Sequence, residues 1–156
     1  FSLTPLKLAQ LHALIANGGY LVRPHITKGL YSGDVPKDLR LVNREQLLRS
    51  DITHIVLNWM ESVVDQGSGK EVITDGYRIG GKTGTAHKSS RTGGYAKSIY
   101  TASFAGIVPI DKKDLTIFVS IYEPGLNAYK GGEIAAPLFA SIAADTLNYL
   151  GYFEDE

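Results

Sequence analysis

Apolar residues recur at helical spacing near both ends of the chain. At the start, Thr4-Pro5 suits a helix cap and first turn, and leucines then repeat every three or four residues. Asn17-Gly18-Gly19 interrupts this pattern, so it predicts a helix over Pro5–Ala16. A similar pattern near the other end predicts a helix over residues 133–150, with Glu133 in its first turn.

The clearest apolar stripe lies in the middle of the chain. It follows Ser50, a suitable N-cap, and Gly67 ends it. Its members repeat as they would on one face of a helix: Ile52, Ile55, Val56, Trp59, Met60, Val63 and Val64. Because large apolar side chains at this spacing usually pack against a sheet, we expect Trp59 and Met60 to be core residues.

Beyond Gly76 the apolar period shortens toward two, which is typical of strands. Strands are predicted over residues 77–86, 99–110 and 115–122, with a turn at 109–114. The polar stretch 87–98 is predicted to be a mobile connection, and residues 19–43 to be irregular with minor strands at 20–22 and 25–27. Helices and three antiparallel strands together predict an α/β (α+β layered) fold, an antiparallel sheet covered by helices.

Composition narrows the classes of partner and cofactor. The 156 residues include 16 Lys or Arg and 16 Asp or Glu, and no cysteine. Nucleic acids are held by clustered basic side chains, so a balanced charge predicts no nucleic-acid partner. The absence of cysteine excludes a thiol nucleophile and disulfides, and His12, His25, His54 and His87 lack metal-ligand spacing. No metal and no cofactor are predicted.

The densest polar cluster, residues 80–85, fits two motifs with different chemistry. Gly76 to Thr83 satisfies G-x-x-x-x-G-K-[ST], the phosphate-binding loop of nucleotide hydrolases. That motif needs a buried strand before the loop and a helix directly after it, whose amides hold the phosphates. Neither is predicted here, so a nucleotide-binding P-loop remains only a remote alternative.

Lys82-Thr83-Gly84 also fits the K-T-G motif of serine acyl-transferases that react with β-lactams. On an exposed strand, a Lys ammonium supplies positive potential for proton transfer and for a substrate carboxylate. Threonine hydroxyls can hydrogen-bond that carboxylate, and Gly84 allows backbone to approach backbone. A peptide substrate would then lie along the strand, with a main-chain N–H stabilising the tetrahedral oxyanion.

An ordered series of segments resembles the C-terminal half of the transpeptidase domain of class B penicillin-binding proteins, above all the division-type, septum-forming members. The K-T-G-T-A string, Lys82-Thr83-Gly84-Thr85-Ala86, matches the family motif letter for letter. The remaining segments precede and follow it in the expected order: residues 4–10, 60–64, 67–69, 100–106 and 131–139. The resemblance covers essentially all 156 residues and implies a penicillin-binding, serine β-lactamase-like transpeptidase fold that is incomplete in this chain.

The resemblance also implies roles for the motif residues. Lys82 would join the hydrogen-bond network of the nucleophilic serine. Thr83 and Thr85 would contact the carboxylate of a D-Ala-D-Ala stem peptide or a β-lactam antibiotic, along the strand that includes Gly84. The Thr85 N–H would help to form the oxyanion hole. Their plainer interpretation is an exposed strand lysine and ordinary cross-strand threonines.

The nucleophile signatures of the family are missing. No serine of the chain is followed by x-x-Lys, and no S-x-N occurs. Thr4-Pro5-Leu6-Lys7 has the nucleophile spacing but carries threonine. We therefore expect residues 1–156 to be the C-terminal portion of one transpeptidase domain, inactive alone, whose upstream half carries S-x-x-K and S-x-N. A non-catalytic penicillin-recognising or partner-binding module is the alternative.

Family analogy further implies cell-division membrane proteins as partners and a position at the periplasmic face of the bacterial cytoplasmic membrane, where septal peptidoglycan is cross-linked. In the family fold, the strand resembling Leu115–Tyr122 lies in the middle of the sheet. The isolated chain would thus expose backbone at Thr116, Phe118 and Ser120, and we expect it to aggregate or misfold.

Three further side chains are near the predicted cleft. His87 is more simply a solvated loop residue than a cleft residue. For Tyr95 and Tyr100, shaping the cleft mouth and ordinary packing are equally good interpretations.

Overall fold

The computed structural model describes residues 3–27, 30–32, 35–37, 45–72, 76–89, 94–125 and 128–152. In chain order, its elements are α1 (Pro5–Ala16), β1 (Leu30–Ser32), β2 (Val35–Lys37), α2 (Ser50–Asp65), β3 (Gly80–Ser89), β4 (Tyr95–Val108), β5 (Leu115–Tyr122), a π-helical turn (Gly131–Ala135) and α3 (Ala136–Tyr149). The predicted class, helices over an antiparallel sheet, is confirmed.

The main sheet has the order β3-β4-β5, with both pairs antiparallel. In the register, Thr83 of β3 faces Phe104 of β4, and Phe104 faces Val119 of β5. Since neighbouring residues of a strand alternate between faces, β4 sends Phe104 to one face and Ile107 to the other. Each face therefore has its own apolar core.

Helix α3 covers the Phe104 face. Phe139 of α3 packs against Phe104 with the ring centroids 4.7 Å apart, and both side chains are fully buried. On the other face, Ile107 packs with Leu57 and Met60 of α2 and with Ala16 at the end of α1. The sheet is thus a middle layer between helices.

Helix α1 has the predicted bounds and the predicted cap. Thr4 is its N-cap, and the Thr4 hydroxyl accepts a hydrogen bond from the Lys7 amide at 3.2 Å. In α2 the predicted cap is wrong by one residue, because Ser50 is the first helical residue and Arg49 is the N-cap. The Ser50 hydroxyl instead donates to the Gly18 carbonyl at 3.0 Å, which ties α2 to the end of α1.

The prediction that Trp59 is a core residue is wrong. Met60 is 6% exposed and lies in the core, whereas Trp59 is 66% exposed. A rotation of about 100° separates consecutive helix residues, so the sheet covers Met60 and leaves its neighbour outside. Ile52 and Ile55, at 43% and 44% exposure, share the uncovered side with Trp59.

The strand boundaries needed correction. Residues 77–79 are not part of β3, which starts at Gly80 and continues to Ser89. Strand β4 starts at Tyr95, so much of the predicted mobile connection over 87–98 is paired strand, while residues 90–93 lie outside the described residues. The third strand, Leu115–Tyr122, and the turn before it agree with the prediction.

Two other segments differ from the prediction. The minor strands expected at 20–22 and 25–27 are absent, apart from a single bridge between Tyr20 and Gln46. The last helix opens with the π-helical turn Gly131–Ala135 before regular α-helix begins at Ala136. This turn brings Gly131 and Gly132 against β3, which matters for the site.

Candidate functional site

The four residues Lys82 to Thr85 begin two residues after the start of β3, a strand that is paired only with β4 among the described residues. Thr83 and Thr85 point to the same face, and Lys82 and Gly84 to the other, because side chains alternate along a strand. Lys82 and Thr85 are exposed, and Thr83 is partly buried. The motif therefore presents both threonine hydroxyls on one surface.

The Thr83 hydroxyl is held by the turn that follows α2. The Ser68 hydroxyl oxygen lies 2.7 Å from the Thr83 hydroxyl oxygen, and either group can donate. Ser68 lies between two glycines in this turn. The Gly69 amide donates back to the Val63 carbonyl at 2.9 Å, which keeps the turn compact. The end of α2 thus contacts the motif directly.

The Thr85 hydroxyl is held from the opposite direction, by the π-helical turn. The Gly131 amide donates to the Thr85 hydroxyl oxygen at 3.0 Å. A Cβ at position 131 would overlap the carbonyl oxygens of Ser103 and Gly84, so only glycine fits there. The missing side chain of Gly131 therefore lets its backbone approach the backbone of Gly84.

The Lys82 ammonium lies beside its own strand. Its Nζ donates to the Thr83 carbonyl oxygen at 2.9 Å and lies 3.5 Å from the Thr83 hydroxyl oxygen. The positive charge thus lies close to the Thr83 hydroxyl, where an anionic group would benefit from it.

A cleft of about 400 Å³ opens over the two threonines. Its walls come from three parts of the fold: the turn after α2, strand β3, and the start of the π-helical turn. Charged residues at its rim include Lys130 and Glu133, whose side chains form an ion pair at 3.1 Å. The hydrogen bond that Lys130 donates to the Glu133 carboxylate raises the pKa of Lys130.

Three ring side chains contact one another near the end of β3 that follows Thr85. The His87 and Tyr100 rings lie 4.5 Å apart, and Tyr129 stacks on Tyr100 with the centroids 4.3 Å apart. His87 is thus a strand residue that contacts an aromatic ring, which corrects its prediction as a loop residue. Tyr95 lies in β4, and its side chain is outside the described part of the structure.

Sequence reasoning missed Ser68 and Gly131 as partners of the motif threonines. Both positions carried a signal only as parts of segments that resemble a family, 67–69 and 131–139. Their chemistry depends on contacts across 15 and 46 positions of the chain, which local patterns do not reveal.

The P-loop alternative conflicts with the backbone around Thr83. Phosphate binding in that motif uses a helix that starts directly after the loop. Here the chain remains a strand from Gly80 to Ser89 and no helix follows Thr83. The motif letters in Gly76 to Thr83 therefore lack the helix that their phosphate-binding mechanism requires.

Two kinds of feature are absent from the described residues. Within those ranges, no three His, Asp or Glu side chains are grouped so that they could hold a metal ion. No helix in the same ranges is long and apolar enough to cross a membrane.

Comparison with known proteins identifies relatives of the chain. It is 37% identical over 155 residues to a peptidoglycan D,D-transpeptidase FtsI homolog of Mesostigma viride, an alignment that covers 90% of this chain and 26% of the relative. It is 32% identical to stage V sporulation protein D of Bacillus subtilis, over 96% of this chain and 24% of the relative. The chain thus spans about a quarter of the length of these curated relatives.

Solved structures share the fold. The transpeptidase domain of Burkholderia pseudomallei penicillin-binding protein 3 superposes with a TM-score of 0.80 at 30% identity, over 99% of this chain and 44% of that one. Penicillin-binding protein 3 of Mycobacterium tuberculosis, complexed with aztreonam, superposes with a TM-score of 0.86 at 26% identity, over 99% of this chain and 37% of that one.

A family match accounts for the motif, the sheet and the cleft together. Residues 1–144 match the family described as the penicillin binding protein transpeptidase domain. One family therefore covers 144 of the 156 residues, and the K-T-G-T strand lies in the fold shared with the penicillin-binding protein 3 structures above. The chain belongs to the transpeptidase-domain family of class B, division-type penicillin-binding proteins.

Proposed function

We propose that residues 1–156 form the C-terminal portion of a peptidoglycan D,D-transpeptidase domain and supply the K-T-G wall of its active site. The enzyme cross-links septal cell wall through a serine acyl-enzyme and is covalently inhibited by β-lactams. Because no serine here is followed by x-x-Lys, the nucleophile and its general base come from the upstream half of the domain, with S-x-x-K and S-x-N.

One observation supports this function above all others. The hydroxyls of Thr83 and Thr85 line one cleft, and each oxygen is already engaged by a fixed neighbour, Ser68 or Gly131. Two oriented hydroxyls, one of them 3.5 Å from the Lys82 ammonium, are suited to a carboxylate, which accepts several charge-assisted hydrogen bonds. The C-terminal carboxylate of D-Ala-D-Ala and the carboxylate of a penicillin are such groups.

Each motif residue then has a role in the reaction. The upstream serine oxygen attacks the carbonyl carbon between the two D-Ala residues, and its proton moves to the base. The Thr85 N–H helps to stabilise the negative oxygen of the tetrahedral intermediate. The C–N bond breaks, D-Ala leaves with a proton, and an ester remains on the serine. Lys82 lies within the hydrogen-bond network that carries these protons.

The second half-reaction resolves the ester. An amine of a neighbouring peptide strand attacks the ester carbonyl, loses a proton and forms the new amide, while the serine regains its proton as the C–O bond breaks. β-Lactams acylate the same serine but leave an ester that is slow to resolve. Complexes of the Mycobacterium tuberculosis relative with aztreonam and ampicillin are consistent with a β-lactam site in this family.

Family membership also supports a place for the protein in the cell. The name FtsI of the Mesostigma viride relative points to division, and we propose a septal role with cell-division membrane proteins as partners. The enzyme would act at the extracytoplasmic, periplasmic face of the cytoplasmic membrane, where peptidoglycan lies.

Labelling with a fluorescent penicillin tests the function. We expect the full-length protein that contains this chain to be labelled on a serine outside residues 1–156, and the 156-residue chain alone to remain unlabelled. Thr83→Val should slow labelling of the full-length protein by about tenfold, because a charge-assisted hydrogen bond is lost. Thr116→Val in β5 is the matched control and should leave the rate unchanged.

A non-catalytic penicillin-recognising or partner-binding module is the second candidate, and the lack of S-x-x-K within residues 1–156 permits it. The two candidates differ in the full-length gene. An upstream S-x-x-K followed by S-x-N, with covalent labelling, supports the enzyme. A full-length protein that binds penicillin reversibly and carries neither motif would establish the module instead.

A further inference from the structure

We propose that Ser68 is a positioning residue for carboxylate recognition, and that it acts through Thr83. This inference rests on the function proposed above. The Ser68 and Thr83 hydroxyl oxygens lie 2.7 Å apart, and this contact joins the turn after α2 to the K-T-G strand.

The direction of this hydrogen bond decides what Thr83 can do. A threonine hydroxyl has one proton to donate and can accept as well. If Thr83 donates its proton to Ser68, that proton cannot reach a ligand. If Ser68 donates instead, Thr83 keeps its proton for an acceptor in the cleft.

A carboxylate ligand selects the second arrangement. An ionised carboxylate only accepts hydrogen bonds, so Thr83 can bind it only by donating its single proton. The Ser68 hydroxyl must then be the donor to Thr83. Lys82 Nζ, 3.5 Å from the same oxygen, is a donor only and so does not compete for the Thr83 proton.

Thr85 provides an internal precedent for this polarity. Its hydroxyl oxygen accepts from the Gly131 amide, which has no capacity to accept, so the Thr85 proton is available to the cleft. Ser68 would leave the Thr83 proton available in the same way, with a side-chain hydroxyl as the donor instead of the backbone amide that Gly131 provides. Both threonines then present a proton to one anion.

The turn is built so that Ser68 stays in place. The Ser68 carbonyl oxygen is packed so closely against Gly132 that a Cβ at position 132 would overlap it. The Gly69 amide is anchored to the Val63 carbonyl at the end of α2. Ser68 is therefore held between α2, β3 and the π-helical turn, while its side chain remains exposed to the cleft.

The test measures acylation of the full-length protein by benzylpenicillin and by its methyl ester, which lacks the carboxylate charge. We expect Ser68→Ala to lower the second-order rate constant for benzylpenicillin by about five- to tenfold. The loss should appear in the dissociation constant of the non-covalent complex rather than in the acylation step, because the carboxylate is bound equally before and during reaction. With the ester the loss should be less than about twofold.

A double-mutant cycle separates positioning from direct contact. In a Thr83→Val background, Ser68→Ala should cost nothing further, because the residue through which Ser68 acts is gone. Ser68→Thr, which keeps the hydroxyl, should restore the wild-type rate. Ser62→Ala, near the end of α2, is the matched control with an exposed serine of similar setting, and it should behave as the wild type.

The outcomes are distinct. An equal loss in the Thr83→Val background, or with the methyl ester, overturns the proposal and indicates that Ser68 contacts ligand directly or only supports the fold. An unaffected Ser68→Ala protein overturns it as well. A wild-type protein that forms no acyl-enzyme at all removes the proposed function, and with it the basis of this inference.

Discussion

The candidate site depends on the absence of a side chain at Gly131. Its amide binds the Thr85 hydroxyl, and its Cα faces the carbonyl oxygens of Ser103 and Gly84. The obstructing atoms belong to the backbone of two paired strands, so they cannot move aside as a flexible side chain would. A single position thus couples the sheet, the motif and the start of the last helix.

We predict that Gly131→Ala lowers the free energy of unfolding by about 1–3 kcal/mol, the usual cost of forcing extra volume into a packed region. Penicillin labelling of the full-length protein should fall with it, because the Gly131 amide moves away from Thr85. Thermal unfolding and labelling rates measure the two effects. Gly125→Ala is the control. Gly125 has a positive φ of 89°, so alanine strains the backbone there, but no atom lies within 4 Å of an added Cβ. If both variants label at the same reduced rate, strain alone explains the loss.

Helix α2 shows how an element divides one apolar stripe between core and surface. The stripe predicted the helix, but not which part of it the sheet would cover. Met60 packs with Ile107 on the face of the sheet opposite α3, whereas Trp59 projects away from the sheet. The same helix ends in the turn that holds Thr83, so the packing of α2 on the sheet also sets the position of Ser68 relative to the motif.

Neighbouring substitutions on α2 should therefore differ widely. Met60→Ala should cost about 2–5 kcal/mol because it leaves a cavity between α2 and the sheet. Trp59→Ala should change stability by no more than about 0.5 kcal/mol, as an exposed side chain does. Urea denaturation of the same protein measures both. A large loss for Trp59→Ala would mean that a further surface covers this side of α2.

Boundaries of elements were the weakest part of the sequence prediction. Helix α1 and strand β5 were predicted with their observed ends, since a cap, glycines and a turn mark them clearly. The ends of β3 and β4 were missed by several residues. Polar residues such as Lys88 are typical of a loop in the sequence, but cross-strand pairing extends the β3–β4 hairpin as far as Ser89 and Tyr95.

At the scale of the whole molecule, the sheet ends at β5 within the described residues. One side of β5 pairs with β4 through a continuous register from Thr101–Tyr122 to Val108–Leu115. Helix α1 packs against this strand. No described strand pairs with the other edge of β5, so its backbone groups there lack sheet partners among the residues the structure describes.

We predict that the 156-residue chain by itself aggregates or misfolds, because an unprotected strand edge recruits other strands. Addition of the upstream half of the domain should prevent this by pairing with β5. Light scattering during size-exclusion chromatography and circular dichroism on heating provide the measurement. A monomeric chain with a sharp cooperative melt would contradict the prediction.

The sequence alone determined the helix at Pro5–Ala16, a second helix beginning near Ser50, the three-stranded antiparallel sheet and the motif Lys82 to Thr85, because these depend on residues close together in the chain. Only the tertiary structure decided which face of α2 is buried and which groups hold the motif threonines. Ser68 and Gly131 are far from the motif in sequence and become its partners only when helices pack on the sheet. Local periodicity records the pattern of an element, whereas the position of one element against another depends on the packing of the whole chain.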